Sequence, residues 1–353
     1  MSSSKRKGRG RNPKSRRPEL GGAIGETDLD TVDGTDVAPV SSPSQRAFVP
    51  PSISAADLFL GDSYTFHSPL PDAIRSNPST AVTVGVDEAG RGPVLGPMVY
   101  GVAYCLSSYE KSLSSRGFDD SKKLTPALRV ELMQKMCSSD PELRSNVGWA
   151  VRMMSARDIS AGMLRPAGVG VYNLNAQAHD ATIELIREVI ARGVNVKEIF
   201  VDTVGPPATY QAKLARIFPS CKVTVSKKAD SLYPSVSAAS VAAKVSRDYA
   251  LEQYFKLAGS APQLKGDSIG SGYPSDPKTV AWLRNSLDEI FGWGSDARFS
   301  WSTAAEMLKK EGESVEWPED EEGHVDIASL MLSQASGYTR YWFGRPPALE
   351  DLS

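Results

Sequence analysis

Acidic side chains stand at the ends of apolar segments that have the pattern of buried strands. Asp87 and Glu88 directly follow the β-branched run 82–86, and Asp202 ends a second apolar run. Asp230 lies just before a helix of small residues. Groups at the ends of neighbouring central strands converge in an open sheet, so we expect these four carboxylates to meet.

Such a cluster predicts metal-dependent hydrolysis of a phosphodiester. Carboxylate oxygens without His or Cys partners suit Mg²⁺, with Mn²⁺ as a substitute. Two such ions about 3.5–4 Å apart can activate a water and stabilise the leaving oxygen. Taken singly, an Asp at a strand end is more often a turn residue or a helix cap. The adjacent pair Asp87 and Glu88 is more informative, because two like charges repel unless a cation or solvent relieves them.

Residues suited to holding a nucleic acid occur around these acids. Gly90, Arg91 and Gly92 form a turn that offers backbone groups and a guanidinium. Tyr273, in a polar Gly-Pro loop, could stack on a sugar or base, and the alternative is a tyrosine of the core. Several cations could meet phosphates, with a solvated surface as the alternative: Lys122, Lys227, Lys228, Lys244 and Arg247.

The strands and helices that would position these residues alternate, which is typical of an α/β fold with a mixed sheet. The first strand begins at Val82, and a second, at 96–106, is expected to pair with it antiparallel through the Gly-rich turn. Further strands are predicted at 146–153, 198–202 and 221–225. Helices are predicted at 126–136, 173–192, 207–218, 236–255, 277–291 and 301–310.

This pattern divides the chain into three regions. Residues 1–80 are rich in Ser, Pro, Gly and charge, and we expect them to form a mostly disordered extension in which a short piece around 56–60 docks on the body. Residues 81–258 form the predicted catalytic domain. Residues 259–353 form a smaller C-terminal helical region, which carries the tyrosine loop and an aromatic tail at 338–343. That tail either docks other subunits or packs as a helix.

Composition narrows the class of protein. The chain has 353 residues and a formal net charge of −2, so its overall charge indicates no partner. Its three cysteines are far apart and are expected to be buried small residues of a reducing compartment. Its three histidines are too scattered for a zinc site or a Ser-His-Asp triad. No apolar run reaches the ~20 residues of a membrane helix, so we expect a soluble intracellular protein without membrane contact.

The N-terminal region has a marked charge pattern. Basic residues occur from Lys5 to Arg17 without an acid among them, whereas 19–36 carries only acids. This indicates a nuclear-localisation signal or an arm that holds nucleic acid loosely, with a passive solubilising tail as the alternative. The predicted location is the nucleus, with the cytoplasm as the alternative.

Seven blocks of sequence, in order, are similar to the type 2 ribonuclease H family. They are 87–97 (DEAGRGPVLGP), 120–122 (DSK), 172–175 (YNLN), 201–205 (VDTVG), 228–234 (KADSLYP), 237–245 (SAASVAAKV) and 270–274 (GSGYP). The residues of several blocks resemble those of the catalytic A subunit of the eukaryotic three-subunit enzyme more than those of the bacterial single-chain form. The resemblance spans about 82–310, so the N-terminal extension and the C-terminal tail lie outside it.

The resemblance implies a ribonuclease H fold, in which a five-stranded mixed sheet is flanked by helices. It implies an endonuclease that cuts the RNA strand of RNA/DNA hybrids. The same enzyme would cut on the 5′ side of single ribonucleotides embedded in duplex DNA, leaving a 3′-hydroxyl and a 5′-phosphate. It further implies two accessory subunits and roles in ribonucleotide removal, RNA primer removal in DNA replication and mismatch-linked DNA repair.

The resemblance also implies roles for several site residues. The metal-binding and catalytic acids would be Asp87, Glu88, Asp202 and Asp230, with Asp87 bridging two ions. Main-chain groups at 90–92 would read the 2′-hydroxyl, the group by which a protein tells RNA from DNA. Tyr273 would stack on the adjacent deoxyribose at the RNA-to-DNA junction. Apart from the resemblance, we predict further substrate contacts at Lys122, Asn175, Lys228, Lys244 and Arg247.

Two other interpretations stay open. One is a DNA nuclease of the same general fold, such as a resolvase, which would have no use for a 2′-hydroxyl sensor. The other is a non-catalytic protein that only binds hybrids, which the loss of an acid would indicate. The turn at 90–92 together with Tyr273 counts against the first, and the presence of all four acids counts against the second.

Overall fold

The computed structural model describes residues 48–118, 124–166, 168–203, 205–258 and 269–314. Within these ranges six strands form one sheet: β1 (Tyr64–His67), β2 (Val82–Ala89), β3 (Met98–Leu106), β4 (Val147–Met154), β5 (Val196–Asp202) and β6 (Lys222–Ser226). The order across the sheet is β1-β4-β3-β2-β5-β6. The first four strands in this order are antiparallel neighbours, and β5 and β6 run parallel to β2. The predicted mixed sheet is confirmed, with one strand more than the five expected.

Helices fill the connections and extend beyond the sheet. They are α1 (Ala55–Leu60), α2 (Asp72–Arg75), α3 (Glu110–Ser115), α4 (Pro126–Gln134), α5 (Pro141–Asn146), α6 (Ala156–Met163), α7 (Leu174–Ala191), α8 (Pro207–Ile217), α9 (Pro234–Ala258), α10 (Pro277–Asn285) and α11 (Ser302–Glu311). A π-helical turn, Lys135–Ser139, extends α4, and a 3₁₀ turn, Ala229–Ser231, precedes α9. None of the helices in the described ranges is long and apolar enough to cross a membrane.

The sheet separates two apolar layers. In β3, Tyr100 and Val102 belong to the layer built with α7 and α8, whereas Val99 and Ala103 belong to the layer built with α4 and α9. This alternation is the two-residue period of a strand that is buried on both faces. A third cluster, formed by α10, α11 and the segment after β2, makes the C-terminal core.

Helix α9 approaches the sheet more closely than ordinary side chains would allow. A Cβ atom at Gly85 of β2 would lie 2.2 Å from the carbonyl carbon of Ser235, and one at Gly101 of β3 would lie 2.6 Å from the carbonyl oxygen of Ala239. The helix face in contact is made of small residues, among them Ala239 and Ala243, both fully buried. The expectation that this Ala- and Ser-rich helix packs closely is therefore confirmed.

The prediction that residues 1–80 are mostly disordered is wrong for the part from residue 48 onward, whereas the expected docking of the piece around 56–60 is confirmed by α1. Strand β1 pairs antiparallel with β4, with Tyr64 opposite Met153, and Leu58 and Ile74 are buried in the core. The error has a physical reason: the alternation of Tyr64 and Phe66 with Thr65 and His67 spans only four residues, all half-buried, which is too short to stand out in a stretch rich in Ser and Pro. Residues 1–47 and 315–353, including the basic arm and the aromatic tail, lie outside the described residues.

The contact at Gly85 generates a prediction about stability. Gly85→Ala forces a methyl group into backbone atoms of α9, and overpacking of this kind costs about 1–3 kcal/mol or more. We expect a lower midpoint of urea unfolding and a lower melting temperature. Gly168→Ala is the matched control, because a Cβ at Gly168 meets nothing within 4 Å. Equal stability of the two variants would contradict the close contact.

Candidate active site

Three of the four predicted acids lie at adjoining strand ends. Val86 of β2 is opposite Val201 of β5, so the next residues along the two parallel strands are Asp87 and Asp202. Glu88 follows in β2, where it is opposite Tyr100 of β3. The local cause is the parallel pairing of β2 with β5, which brings their carboxyl ends to the same edge of the sheet.

Asp230 reaches the same edge through a turn. It lies in the 3₁₀ turn after β6, the strand beside β5, and its side chain is buried. The backbone amide of Ala229 donates a hydrogen bond of 2.8 Å to Oδ1 of Asp202. The end of β5 is therefore tied directly to the residue before Asp230, which supports the predicted grouping of the acids.

The charges of these acids act on one another. Burial raises the pKa of Asp87, and the negative charge of Asp202 raises it further. Burial also raises the pKa of Glu88, with the charges of Asp87 and Asp202 adding to the effect. Lys244, half-buried on α9, opposes both shifts by lowering the pKa of each carboxyl. The site thus holds more negative charge than its surroundings neutralise, which is the condition that favours a bound cation.

The donor set fits a hard divalent cation. All four side chains offer oxygen and none offers nitrogen or sulfur, which suits Mg²⁺ or Mn²⁺ better than zinc. In the described part of the chain, no three His, Cys, Asp or Glu side chains are already arranged to hold a metal ion. Binding would therefore require side-chain adjustment around the ion.

The loop at 90–92 follows the acids directly. Gly90 has a φ of 75°, and a Cβ there would lie 2.7 Å from the carbonyl oxygen of Pro97, so only glycine fits. The Arg91 guanidinium donates to Oδ1 of Asn175 in the first turn of α7. Gly92 is exposed, and a Cβ there would lie 3.3 Å from the ring of Tyr273. The structure therefore brings the predicted sensor loop, Asn175 and Tyr273 together.

Arg298 holds this loop through hydrogen bonds to its carbonyl oxygens. The sequence analysis missed this residue. Although its side chain is fully buried, Nε donates to the carbonyl oxygen of Gly96 at 3.0 Å, Nη1 to that of Arg91 at 3.0 Å and Nη2 to that of Gly90 at 2.6 Å. Burial lowers the pKa of Arg298 to about 9, and the nearby charge of Arg247 adds to the effect. A single arginine in a loop carries no periodic signal, so no sequence pattern selects it.

Arg247 has a different role from the one predicted. Its side chain is buried, and Nη2 donates to the carbonyl oxygen of Ser271 at 2.8 Å while Nη1 contacts Asp248 at 3.2 Å. The guanidinium also lies 5.9 Å from the centre of the Tyr273 ring. The predicted phosphate contact does not fit this burial. Arg247 instead supports the loop that presents Tyr273, whose own side chain is 42% exposed.

The predicted lysines differ in their placement. Lys227 and Lys228 are exposed after β6, and Lys228 has a φ of 57°, a left-handed backbone that favours glycine. Lys244 lies beside the acids, as its effect on their pKa values indicates. Lys122 lies outside the described residues.

A cavity of about 270 Å³ adjoins the acids between α7 and α8. His179 and Tyr210 stack there with ring centres 4.0 Å apart. Burial lowers the pKa of His179, and the charge of Lys213 adds to this shift. The sequence analysis singled out neither residue for this site, because each has the spacing of an ordinary helix position. The cavity lining includes Glu88, Arg91, His179, Asp202, Tyr210 and Lys213.

The chain is similar to known proteins over most of its length. The sequence model of the family described as Ribonuclease HII matches residues 84–304, more than half of the chain. The A subunit of ribonuclease H2 from Neurospora crassa is 49% identical over 313 residues, which cover 86% of this chain and 96% of that protein. The human protein of the same name is 45% identical over 273 residues, covering 76% of this chain and 87% of its own.

A solved structure is similar to this chain as well. The ribonuclease HII of Archaeoglobus fulgidus, determined in a complex with PCNA, is 29% identical and aligns with a TM-score of 0.51. The alignment covers 63% of this chain and 94% of that chain. The family match contains all four acids, the loop at 90–92, Tyr273 and Arg298. The resemblance that the sequence blocks indicate is confirmed, and the chain belongs to the ribonuclease HII family of ribonuclease H enzymes.

Proposed function

We propose that this ribonuclease H cuts the RNA strand of RNA/DNA hybrids and also cuts duplex DNA on the 5′ side of a single embedded ribonucleotide. The products would carry a 3′-hydroxyl and a 5′-phosphate. The observation that supports this most directly is that Asp87, Glu88 and Asp202 adjoin one another immediately before the loop at 90–92. A hydrolytic centre therefore lies beside backbone groups able to contact a 2′-hydroxyl, which is what separates RNA from DNA.

The four acids would hold two divalent cations, Mg²⁺ or Mn²⁺. When bound, such ions supply Lewis-acid chemistry that activates water and stabilises the leaving oxygen. The chain contributes concentrated, partly buried negative charge, so that neutralisation by a cation is favourable. Lys244 keeps Asp87 and Glu88 closer to the ionised form that binds cations, because it lowers the pKa of both.

The substrate would lie across the loop at 90–92 and Tyr273. The Tyr273 ring is exposed and packs against Gly92, so it can stack on the deoxyribose beside the ribonucleotide. Arg91 and Asn175, joined by a hydrogen bond, line the cavity that also contains Glu88 and Asp202. Lys228, exposed after β6, would contact a phosphate.

The protein would work with partners. The relatives from Neurospora crassa and human are both named as the A subunit of a ribonuclease H2, which supports assembly of this chain into a multi-subunit enzyme. We propose two accessory subunits, as the resemblance implies. The basic run from Lys5 to Arg17 supports a nuclear location. There the enzyme would remove ribonucleotides from DNA, remove RNA primers during replication and act in mismatch-linked repair.

Cleavage of three labelled duplexes in Mg²⁺ tests the proposal. The full-length protein, co-expressed with any accessory subunits that it needs, is given a long RNA/DNA hybrid, DNA with one ribonucleotide, and DNA alone. We expect the hybrid to be cut, the second duplex to be cut on the 5′ side of the ribonucleotide, and the DNA to stay intact. Cleavage of the all-DNA duplex would contradict 2′-hydroxyl reading and favour a DNA nuclease.

Replacing one acid tests the assignment of the metal ligands. Asp87→Asn or Asp202→Asn should abolish cleavage of both substrates while the protein remains folded, because a neutral amide cannot supply the charge that holds the ions. Glu252→Gln is the matched control, since Glu252 is an exposed acid of α9 that pairs with Lys256. Cleavage at the wild-type rate by either Asn variant in Mg²⁺ would remove that residue from the site.

Replacing the tyrosine tests the junction contact. Tyr273→Ala should reduce kcat/KM for a single embedded ribonucleotide by about tenfold or more, as expected when one stacking contact of about 1–3 kcal/mol is lost. A long hybrid should lose less, because it does not depend on one junction. Tyr273→Phe keeps the ring and should retain most of the activity. Equal losses on both substrates would exclude the junction role.

The strained backbone at Lys228 gives a separate test. Left-handed backbone costs a non-glycine residue about 1–2 kcal/mol, so Lys228→Gly should leave the free energy of unfolding unchanged or slightly higher. If the lysine is retained for its side chain, the same variant should raise KM for the hybrid and weaken its dependence on salt. Lys227→Gly, at an adjacent position without positive φ, should be slightly destabilised instead. An unchanged KM in Lys228→Gly would exclude the phosphate contact.

A further inference from the structure

Three successive carbonyl groups of the loop at 90–92 are held from the C-terminal core. Arg298 donates to Gly90 and Arg91 with two nitrogens, at 2.6 and 3.0 Å. The third carbonyl, that of Gly92, accepts a hydrogen bond of 3.0 Å from the indole nitrogen of Trp301. The same indole ring lies 4.7 Å from the Arg298 guanidinium, within cation–π range. Arg298 and Trp301 therefore form one support for the whole loop.

The orientation of these carbonyls fixes what the loop presents outward. In a planar trans peptide the C=O of one residue and the N–H of the next point in opposite directions. With the carbonyls of Gly90 and Arg91 held by Arg298, the amides of Arg91 and Gly92 must point away from Arg298. Within the described residues neither amide donates to a protein acceptor. Two donors are thus available on the side of the loop that faces away from the C-terminal core.

Trp301 is the residue that links this support to the rest of the fold. It precedes α11 directly, and its ring packs against both the sheet layer built with α7 and α8 and the C-terminal core. Its indole N–H restrains Gly92, the residue that packs against the Tyr273 ring. A shift of Trp301 would therefore move Gly92 relative to Tyr273 and tilt the guanidinium that orients the two outward-facing amides.

We propose that Trp301 is a positioning residue for substrate discrimination: acting through Gly92 and Arg298, it holds the loop in the orientation that selects a single ribonucleotide. This inference rests on the proposed reading of the 2′-hydroxyl by the loop. Trp301 does not touch the reacting phosphate. Its effect is expected on the choice between substrates, because a lone ribonucleotide offers one 2′-hydroxyl in one register. A long hybrid offers one at every position.

Two tryptophan variants with a matched control test this role. Trp301→Phe keeps an aromatic ring beneath Arg298 and removes only the hydrogen bond to Gly92, whereas Trp301→Leu removes the aromatic ring as well. The control is Trp293→Phe: Trp293 lies in the same C-terminal core, and its indole nitrogen donates to the carbonyl oxygen of Leu283 at 2.7 Å, away from the loop. The full-length enzyme, with the accessory subunits that it needs, is assayed on the single-ribonucleotide duplex and on the long hybrid.

For Trp301→Phe we expect kcat/KM on the single ribonucleotide to fall about fivefold, the size expected for one lost hydrogen bond, with less than about a twofold change on the hybrid. Trp301→Leu should lower still further the ratio of kcat/KM on the single ribonucleotide to kcat/KM on the hybrid. Trp293→Phe should lower the melting temperature and leave the ratio unchanged. Hybrid cleavage also shows that each variant is folded.

The outcomes separate this inference from the proposed function. If the wild-type enzyme cuts at the single ribonucleotide and Trp301→Phe keeps the wild-type ratio, the positioning role is excluded and the proposed function stands. The same holds if Trp293→Phe changes the ratio as much as Trp301→Phe does. If the wild-type enzyme cuts hybrids but not the single ribonucleotide, the junction part of the proposed function fails, and this inference fails with it.

Discussion

The close contact of α9 with β2 and β3 is the constraint on which the rest of the structure depends. Because Gly85 and Gly101 carry no side chain, the helix backbone lies directly on the two central strands. The same helix then places Lys244 beside the acids and Arg247 under the loop that carries Tyr273. A Cβ at Gly90 would lie 3.2 Å from the side chain of Arg247, so the loop at 90–92 also packs on α9. The distance between the acids and the residues predicted to read the substrate is therefore set by one helix.

This arrangement places the negative charges of the acids where they destabilise the fold unless a cation neutralises them. Burial and mutual repulsion raise the pKa of Asp87 and of Glu88, which means that the ionised forms are unfavourable there. A cation bound only in the native state would relieve the repulsion and stabilise the fold by mass action. Lys244 and Arg91 supply part of that relief from the protein, since both lower the pKa of Glu88. The geometry of the acids is thus a compromise between folding and ion binding, and the rigid contact with α9 maintains it.

The parts of the fold that could be predicted from the sequence are those with a local signal. Thr125 caps α4 through a hydrogen bond from the amide of Leu128, as Thr followed by Pro indicates, and Asp202 ends a strand whose apolar run is plain. The signal of β1 is too short to predict a strand, because only Tyr64 and Phe66 alternate with polar residues and the strand depends on pairing with β4. Arg247 was wrongly assigned to a phosphate, since spacing places a residue on a helix face but not beneath a loop 24 residues away. Arg298 was missed for the same reason: its partners are backbone carbonyls more than 200 residues distant.

The long-range contacts explain why the C-terminal core belongs with the catalytic sheet. The acids alone need only strands β2 and β5 and the turn after β6, and nothing in them distinguishes RNA from DNA. The proposed discrimination requires backbone donors in a fixed orientation, which a glycine-containing loop cannot maintain by itself because its residues have wide conformational freedom. In this chain the orientation comes from Arg298 and Trp301, both outside the sheet. The family match ends at residue 304, just beyond these two residues, so the matched region includes the support as well as the acids. The acids and the support of the loop at 90–92 therefore come from different parts of the chain, and they meet where this loop leaves β2.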